Sequence, residues 1–205
     1  MTVRRSFPLE QVQTVQNAYN SLKMTTTQKA LADELHRISR KNFERRKIRV
    51  NGLNNLWCAD LLDMQSYAAQ NKQYRYILVA VDFLSKRIYA EPLKNKSSQS
   101  VRDGLATMFR QAQPKLLWVD LGKEFHNAKV KDLLSEYGVK MYNTYTKIKS
   151  SPAERANRTI KSRLVKNFTI TSTEEWLDVL PRIVKEFNNK KNSVTGYAPA
   201  RVTKK

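Results

Sequence analysis

Three carboxylates fall where a strand or a helix gives them little structural work. Asp60 lies inside an apolar run that begins at Trp57, and Asp120 follows directly on Leu116-Leu-Trp-Val119. Glu154 opens a helical pattern after the segment 143–151. Asp60 and Asp120 are 60 residues apart, and Asp120 and Glu154 are 34 apart. If the fold brings them together, they repel one another and lift their own pKa values unless cations compensate. Magnesium suits such a cluster, because it prefers oxygen ligands and keeps open positions for phosphate and water. Two such ions about 4 Å apart can assist both the attacking and the leaving oxygen of an in-line phosphoryl displacement.

Each acid also has an ordinary role open to it. Asp60 competes with Asp63, three residues on; on a regular strand the two face opposite sides, so only one can join the cluster. Asp120 reads equally as a strand-end turn residue, with Gly122 completing the turn. Ser151-Pro-Ala-Glu154 has the form of a capping box, in which the glutamate bonds back to the cap, and spacing alone leans that way. Asp82 closes an apolar run and reads as the organiser of the Ser85-Lys86 turn, and His126 reads as a loop residue. Beyond Glu154, the residues Asn157, Arg158 and Lys161 follow at i+3, i+4 and i+7, along one helical face. Ala153, Ala156, Ile160 and Leu164 turn to the core instead. Such a row is either a solvated surface or an acid flanked by bases that hold a nucleic-acid backbone.

The elements that must position these residues come from hydrophobic periodicity. Trp57–Met64, Tyr74–Phe83 and Arg87–Leu93 read as strands, close enough in sequence to form an antiparallel meander. The middle one is almost continuously apolar, as expected of a central strand buried on both faces. A helix over 97–110 carries Val101, Leu105, Met108 and Phe109 on one stripe. Leu116–Asp120 is a short strand. Val130, Leu133, Leu134 and Tyr137 mark a second helix, stopped by Gly138, and Lys140–Thr144 is a fifth strand. Long helices over Pro152–Phe168 and Thr173–Asn189 follow, the second with a kink expected at Pro181. This order predicts an α/β fold, a mixed five-stranded sheet flanked by helices, of the ribonuclease H-like kind. Two further helices, near 8–23 and 26–38, form a short N-terminal extension that ends in a basic run from Arg37 to Arg49. Thr25–His36 has the look of the first helix of a helix-turn-helix, without a convincing second. The division expected is 1–45 for the extension and linker, 46–200 for the core and 201–205 for a basic tail.

Composition narrows the partners. The chain of 205 residues carries 38 Lys and Arg against 18 Asp and Glu, a net charge of +20. That excess points to a polyanion, most often nucleic acid. One cysteine, Cys58, excludes an internal disulfide framework and suits a reducing compartment. With only two histidines beside it, no Cys/His zinc site can be assembled. Five glycines in no phosphate-loop spacing argue against a nucleotide cofactor. No stretch approaches the roughly 18 apolar residues of a membrane span, so no membrane partner is expected.

The blocks Trp57-Cys-Ala-Asp60, Asp120-Leu-Gly-Lys-Glu-Phe125 and Glu154-Arg-Ala-Asn-Arg-Thr-Ile-Lys161, in this order, resemble the catalytic core of retroviral-type integrases, the Asp-Asp-Glu recombinases. The connecting text VNGLNNLWCADLLDM, YILVAVDFLSK, PLKNK and NTYTKIKSSPAER is closer still to the integrases of Maverick/Polinton elements and virophages. The likeness spans about 45–200. It implies a metal-binding catalytic triad of Asp60, Asp120 and Glu154, which reverses the capping reading of the glutamate. It implies magnesium, with manganese as a substitute and two ions per site. It further implies metal-dependent 3′-end processing and one-step strand transfer of element DNA into target DNA. Arg158 and Lys161 would contact the element end, and Lys147 and Lys149 would lie near DNA on a mobile loop, Asn143–Ser151. Glu124 and Asn157 would support the site from behind. Double-stranded DNA and a homodimer or larger homo-oligomer are the partners implied, in a eukaryotic nucleus or a virion. A ribonuclease H-like nuclease and a non-catalytic, domesticated DNA-binding protein are the competing readings. The chain departs from retroviral integrases in offering no amino-terminal zinc module, and it ends shortly after Ser193–Pro199. Those departures suggest a fragment or a minimal element.

Overall fold

A computed structural model of the chain describes residues 48–143 and 151–203. The N-terminal helices, the linker boundary at 45 and most of the loop carrying Lys147 and Lys149 lie outside the described residues. Five strands form one sheet: β1 (Leu56–Asp63), β2 (Tyr76–Asp82), β3 (Ile88–Leu93), β4 (Leu116–Val119) and β5 (Lys140–Asn143). Four helices accompany them: α1 (Ser98–Gln111), α2 (Ala128–Glu136), α3 (Ser151–Thr171) and α4 (Leu180–Asn189). The strand order is β3-β2-β1-β4-β5. β1, β2 and β3 pair antiparallel as the expected meander, whereas β4 adds parallel to β1 and β5 parallel to β4. The expected mixed five-stranded sheet flanked by helices is therefore present.

The apolar pattern of β2 is continuous because both of its faces are covered. Leu78 and Ala80 face a core built with α1 and α2, which includes Trp57, Leu105 and Leu133. Ile77, Val79 and Val81 face the opposite core, built with α3 and α4 through Ala156, Ile160, Leu164 and Ile183. Full burial of one such large side chain is worth about 1.5–3 kcal/mol. Trp57 is wholly buried and stacks on Tyr89 with ring centroids 4.2 Å apart. Gly104 lets α1 approach closely: a Cβ there would stand 3.0 Å from Leu78 and 3.1 Å from Leu93.

Local signals set most element ends. Ser97 and Asn127 cap α1 and α2 by accepting from the N–H groups of Ser100 and Val130. Gly138 follows α2 at φ +61°, the left-handed conformation its position suggests. One expectation fails. The last helix begins at Leu180, not Thr173, and Pro181 sits in its first turn, where a missing N–H costs nothing, instead of kinking it. Residues 173–179 form a strap held from elsewhere. The Asn71 Oδ1 accepts from the N–H groups of Trp176 and Leu177, and its Nδ2 donates to Glu174 O. That seats Trp176 in the core with no exposure.

Candidate active site

The sheet register sets the two aspartates side by side. β1 and β4 run parallel, with Leu56, Trp57 and Cys58 opposite Leu116, Leu117 and Trp118. The pairing ends two positions before Asp60, and Asp120 directly follows the last residue of β4, so continuing the register would bring the two aspartates level with each other. Cys58 and Trp118 pack under Ala153 of α3, and a strand turns every second residue the same way, so Asp60 on β1 faces α3 too.

The third element closes on them through Asn157. Its Nδ2 donates to Asp60 Oδ2 at 2.9 Å, a contact across 97 residues of sequence. A carboxylate can only accept, so this orientation of the amide is chemically required. Asp60 Oδ1 accepts from Leu61 N at 2.8 Å. Glu154, half-buried in the first turn of α3, precedes Asn157 by three residues. The two therefore share a face, with Cβ atoms about 5–6 Å apart. Asp63 is turned away, exposed and bonded to Gln65. The choice between Asp60 and Asp63 thus goes to Asp60.

Asp120 is exposed just beyond β4, and its Oδ1 accepts from Gly122 N at 3.1 Å. His126 Nε2 lies 2.9 Å from the Asp120 carbonyl oxygen. The histidine is therefore a loop residue, but one that holds the turn carrying the acid, which sequence alone did not indicate. Phe125, almost wholly buried, anchors that turn to the core. Glu124 lays its carboxylate against Gly122, in the space a Cβ would need.

Oxygen donors of this kind suit a hard divalent cation. Among the described residues no three His, Cys, Asp or Glu side chains already stand close enough to hold an ion. The carboxylates would have to come closer together to share one ion. One observation supports the fit: Asn157 Oδ1 is buried with no hydrogen-bond partner, beside the acid its own Nδ2 holds. Asp60, Asp120 and Glu154 are the residues that would ligate the metal.

Neighbouring groups are quieter. Burial pushes the Cys58 thiol up to about 12, which makes it an unreactive core residue beside the site. Arg158 and Lys161 are exposed on the Glu154 side of α3. Asp82 is fully buried and accepts from Asn54 N, Ser85 N and Ser85 Oγ, so it organises its turn as its position suggested.

Comparison with known proteins points the same way. A family model described as Integrase core domain matches residues 51–147. A putative uncharacterized transposon-derived protein of Caenorhabditis elegans is 36% identical over 141 residues, which is 68% of this chain and 49% of that protein. The Pro-Pol polyprotein of Simian foamy virus type 1 is 30% identical over 128 residues, 62% of this chain and 11% of the polyprotein. The chain thus spans about half the length of the nematode relative and a small part of the viral one. Among solved structures, the HTLV-2 integrase catalytic core domain in complex with magnesium superposes with a TM-score of 0.64 at 17% identity, over 75% of this chain and 99% of that one. The BIV integrase catalytic core gives 0.57 at 21% identity, over 72% of this chain and 91% of that one. The fold is that of the ribonuclease H-like integrase core.

Proposed function

We propose that this chain contains the catalytic core of an integrase-type polynucleotidyl transferase that processes and joins DNA ends. One observation supports the reading: Asp60 on β1 and Asp120, just past the end of β4, continue the register of two paired parallel strands, and α3, which carries Glu154, is bonded to Asp60 through Asn157. A buried or saturated acid could not serve this chemistry, and none of the three is buried. Magnesium, with manganese as a substitute and two ions per site, would supply positive charge for the attacking and leaving oxygens of a phosphodiester. The chain's own residues do the rest. Asp60 is held in one orientation by Asn157 and Leu61 N. Asp120 is set by the Gly122 turn, and Glu154 is carried in the first turn of α3.

Water cutting the element end, and then the freed 3′-hydroxyl attacking target DNA, are the reactions such a site supports. Arg158 and Lys161, exposed on α3 with Glu154, would hold the element end by its phosphates, joined by Lys147 and Lys149 in the segment that precedes α3. The partner is double-stranded DNA, and joining two ends calls for a homodimer or larger assembly. The HTLV-2 integrase core, found in complex with magnesium in dimeric and trimeric forms, supports the metal and the assembly in that reading. An origin in a Maverick/Polinton-like element rests on the connecting blocks of sequence, and the transposon-derived nematode relative supports a mobile-element source. Work on host DNA would place the protein in a nucleus or a virion.

A strand-transfer assay with a precleaved element-end duplex and manganese tests the function, with Asp120→Asn as control. Joined product that disappears in the variant is the expected result. Nicks without joining would shift the assignment to a nuclease, and tight DNA binding without any metal-dependent product would make the protein an architectural one.

A further inference from the structure

One long stretch of the chain is free of acid. From Phe187 to Lys205 the sequence carries five Lys or Arg and no Asp or Glu. Its centre is a turn, residues 192–197, set between the end of α4 and a single helical turn at Pro199–Arg201. Hydrogen bonds hold this turn from inside. Asn192 N donates to Tyr197 O and Gly196 N to Asn192 O, both at 2.9 Å. Asn192 Oδ1 accepts from Val194 N at 2.9 Å, and Gly196 takes the left-handed φ of +75° that the reversal needs. Behind the turn, Ala198 and Pro199 are buried.

The backbone is thus anchored, yet it leaves apolar side chains in solvent. Tyr197 is 69% exposed, and Val194 is 73% exposed. Cations stand on both sides of the ring in the chain. Lys190 and Lys191 precede the turn, Arg201 follows it, and all three are exposed. The bond from Asn192 N brings Tyr197 back beside Lys191, and Arg201 N donates to Ala198 O, next to Tyr197. Among the described residues none of the three cations enters an ion pair. Glu186, the last acid in the sequence and one helical turn before Lys190, is paired with Arg182 at 3.4 Å.

An aromatic ring among unpaired, solvent-exposed cations fits nucleic acid: cations meet phosphates, and a ring packs on sugar or base. A second copy of this chain fits poorly, because at +20 it would bring like charge to a basic patch. Position favours the same partner. Asn192, Ser193 and Val194 line one cavity with Pro152 and Ala156 of α3, which sets the turn beside the start of the helix that carries Glu154.

We propose that the 192–197 turn and its flanking cations form a second contact for duplex DNA, in which Lys190, Lys191 and Arg201 hold backbone phosphates and Tyr197 packs on the sugar edge. The inference rests on the DNA-joining reading of the chain, and it extends the DNA path from the acids past the start of α3.

Duplex binding by the full chain, followed by fluorescence anisotropy across a salt series, tests this with Lys191→Gln, Arg201→Gln and Tyr197→Ala. Lys131→Gln, an exposed cation on α2, controls for loss of one charge. Each charge variant is expected to weaken binding about three- to tenfold and to lower the salt slope by about 1 beyond the control. Tyr197→Ala should weaken binding about fivefold or more with the slope unchanged, since a ring contact releases no counterion. Tm should stay at the wild-type value in all three, because the altered side chains lie in solvent. Charge variants equal to the control, with Tyr197→Ala equal to wild type, would overturn this contact and leave the DNA-joining reading intact. A wild-type chain that binds no duplex would remove both. A loss confined to the charge variants would overturn the part given to the ring. Affinity that falls only in step with Tm would make the turn a structural element and overturn the contact. Tyr197→Ala that dissociates an oligomer in sedimentation, with duplex affinity unchanged, would assign the patch to a second copy of the chain.

Discussion

Two neighbouring strands each place an aspartate where an apolar residue would be expected, and the two side chains have opposite surroundings. Asp82, at the end of β2, has no exposure and accepts three hydrogen bonds from its own turn and from Asn54. Asp60, on β1, is half-buried, and the bonds resolved to its carboxylate come from Leu61 N and Asn157. Asp120 beyond β4 is exposed, with one bond to the following turn. A carboxylate surrounded by backbone N–H and hydroxyl donors is structural, since its lone pairs are spent. Asp60 and Asp120 instead keep contact with solvent, from which a cation could reach them. Partners and exposure, not residue type or strand position, separate the two roles.

The contrast is broken or upheld most strongly by exchanging the acids. Asp60→Asn and Asp120→Asn remove ligand charge without altering volume, and loss of such a group costs several kcal/mol of barrier, or about a thousandfold in joining rate. Their Tm values should stay within a few degrees of wild type. A variant that loses activity only because it unfolds would place Asp60 with Asp82 instead. Asp82→Ala should behave in the reverse way. It strands the Ser85 and Asn54 donors in the core, at a cost of about 3 kcal/mol in denaturant unfolding. The folded fraction should still join DNA at an undiminished specific rate.

Basic residues beside the open acids give a smaller effect that sharpens the same division. Arg158→Ala and Lys161→Ala are each expected to weaken element-end binding about three- to tenfold and to reduce the salt slope by about 1. Unchanged affinity with an unchanged slope would reduce that face of α3 to a solvated surface.

Much of this arrangement was legible because its signals are local. The meander announces itself by three apolar runs with short connections, and the Asp82 turn by an aspartate three residues before Ser85. Gly138 marks the end of α2 by its type alone. What was hidden depends on partners far away in sequence. Trp176, Leu180 and Ile183 have helical spacing, yet residues 173–179 are a strap because Asn71, 105 residues before Trp176, takes the Trp176 N–H. Asn157 was recognisable as a supporting residue, but its bond to Asp60 spans 97 positions. Residues 192–194 form no motif with the start of α3, and only packing brings the two to one cavity.

Glu91 on the edge strand β3 lies between the two extremes and yields the smallest effect. It is half-buried, burial raises its pKa, and Arg110 only partly offsets the rise. Its sole resolved hydrogen bond, from Gln111 Nε2, is long at 3.5 Å. A carboxyl whose folded pKa exceeds its unfolded one favours folding while protonated. That contribution is fully present below the unfolded pKa, and it is lost as pH rises through the folded pKa. At pH 7 the group is therefore a small net cost, and Glu91→Gln should stabilise by about 0.5 kcal/mol or less, in the range of surface substitutions. Thermal melts should show the gap between variant and wild type closing as pH falls toward 4. A variant less stable than wild type at pH 7 would mean that attraction to Arg110 outweighs burial, and Glu91 would then join Asp82 among the acids held in place by their partners.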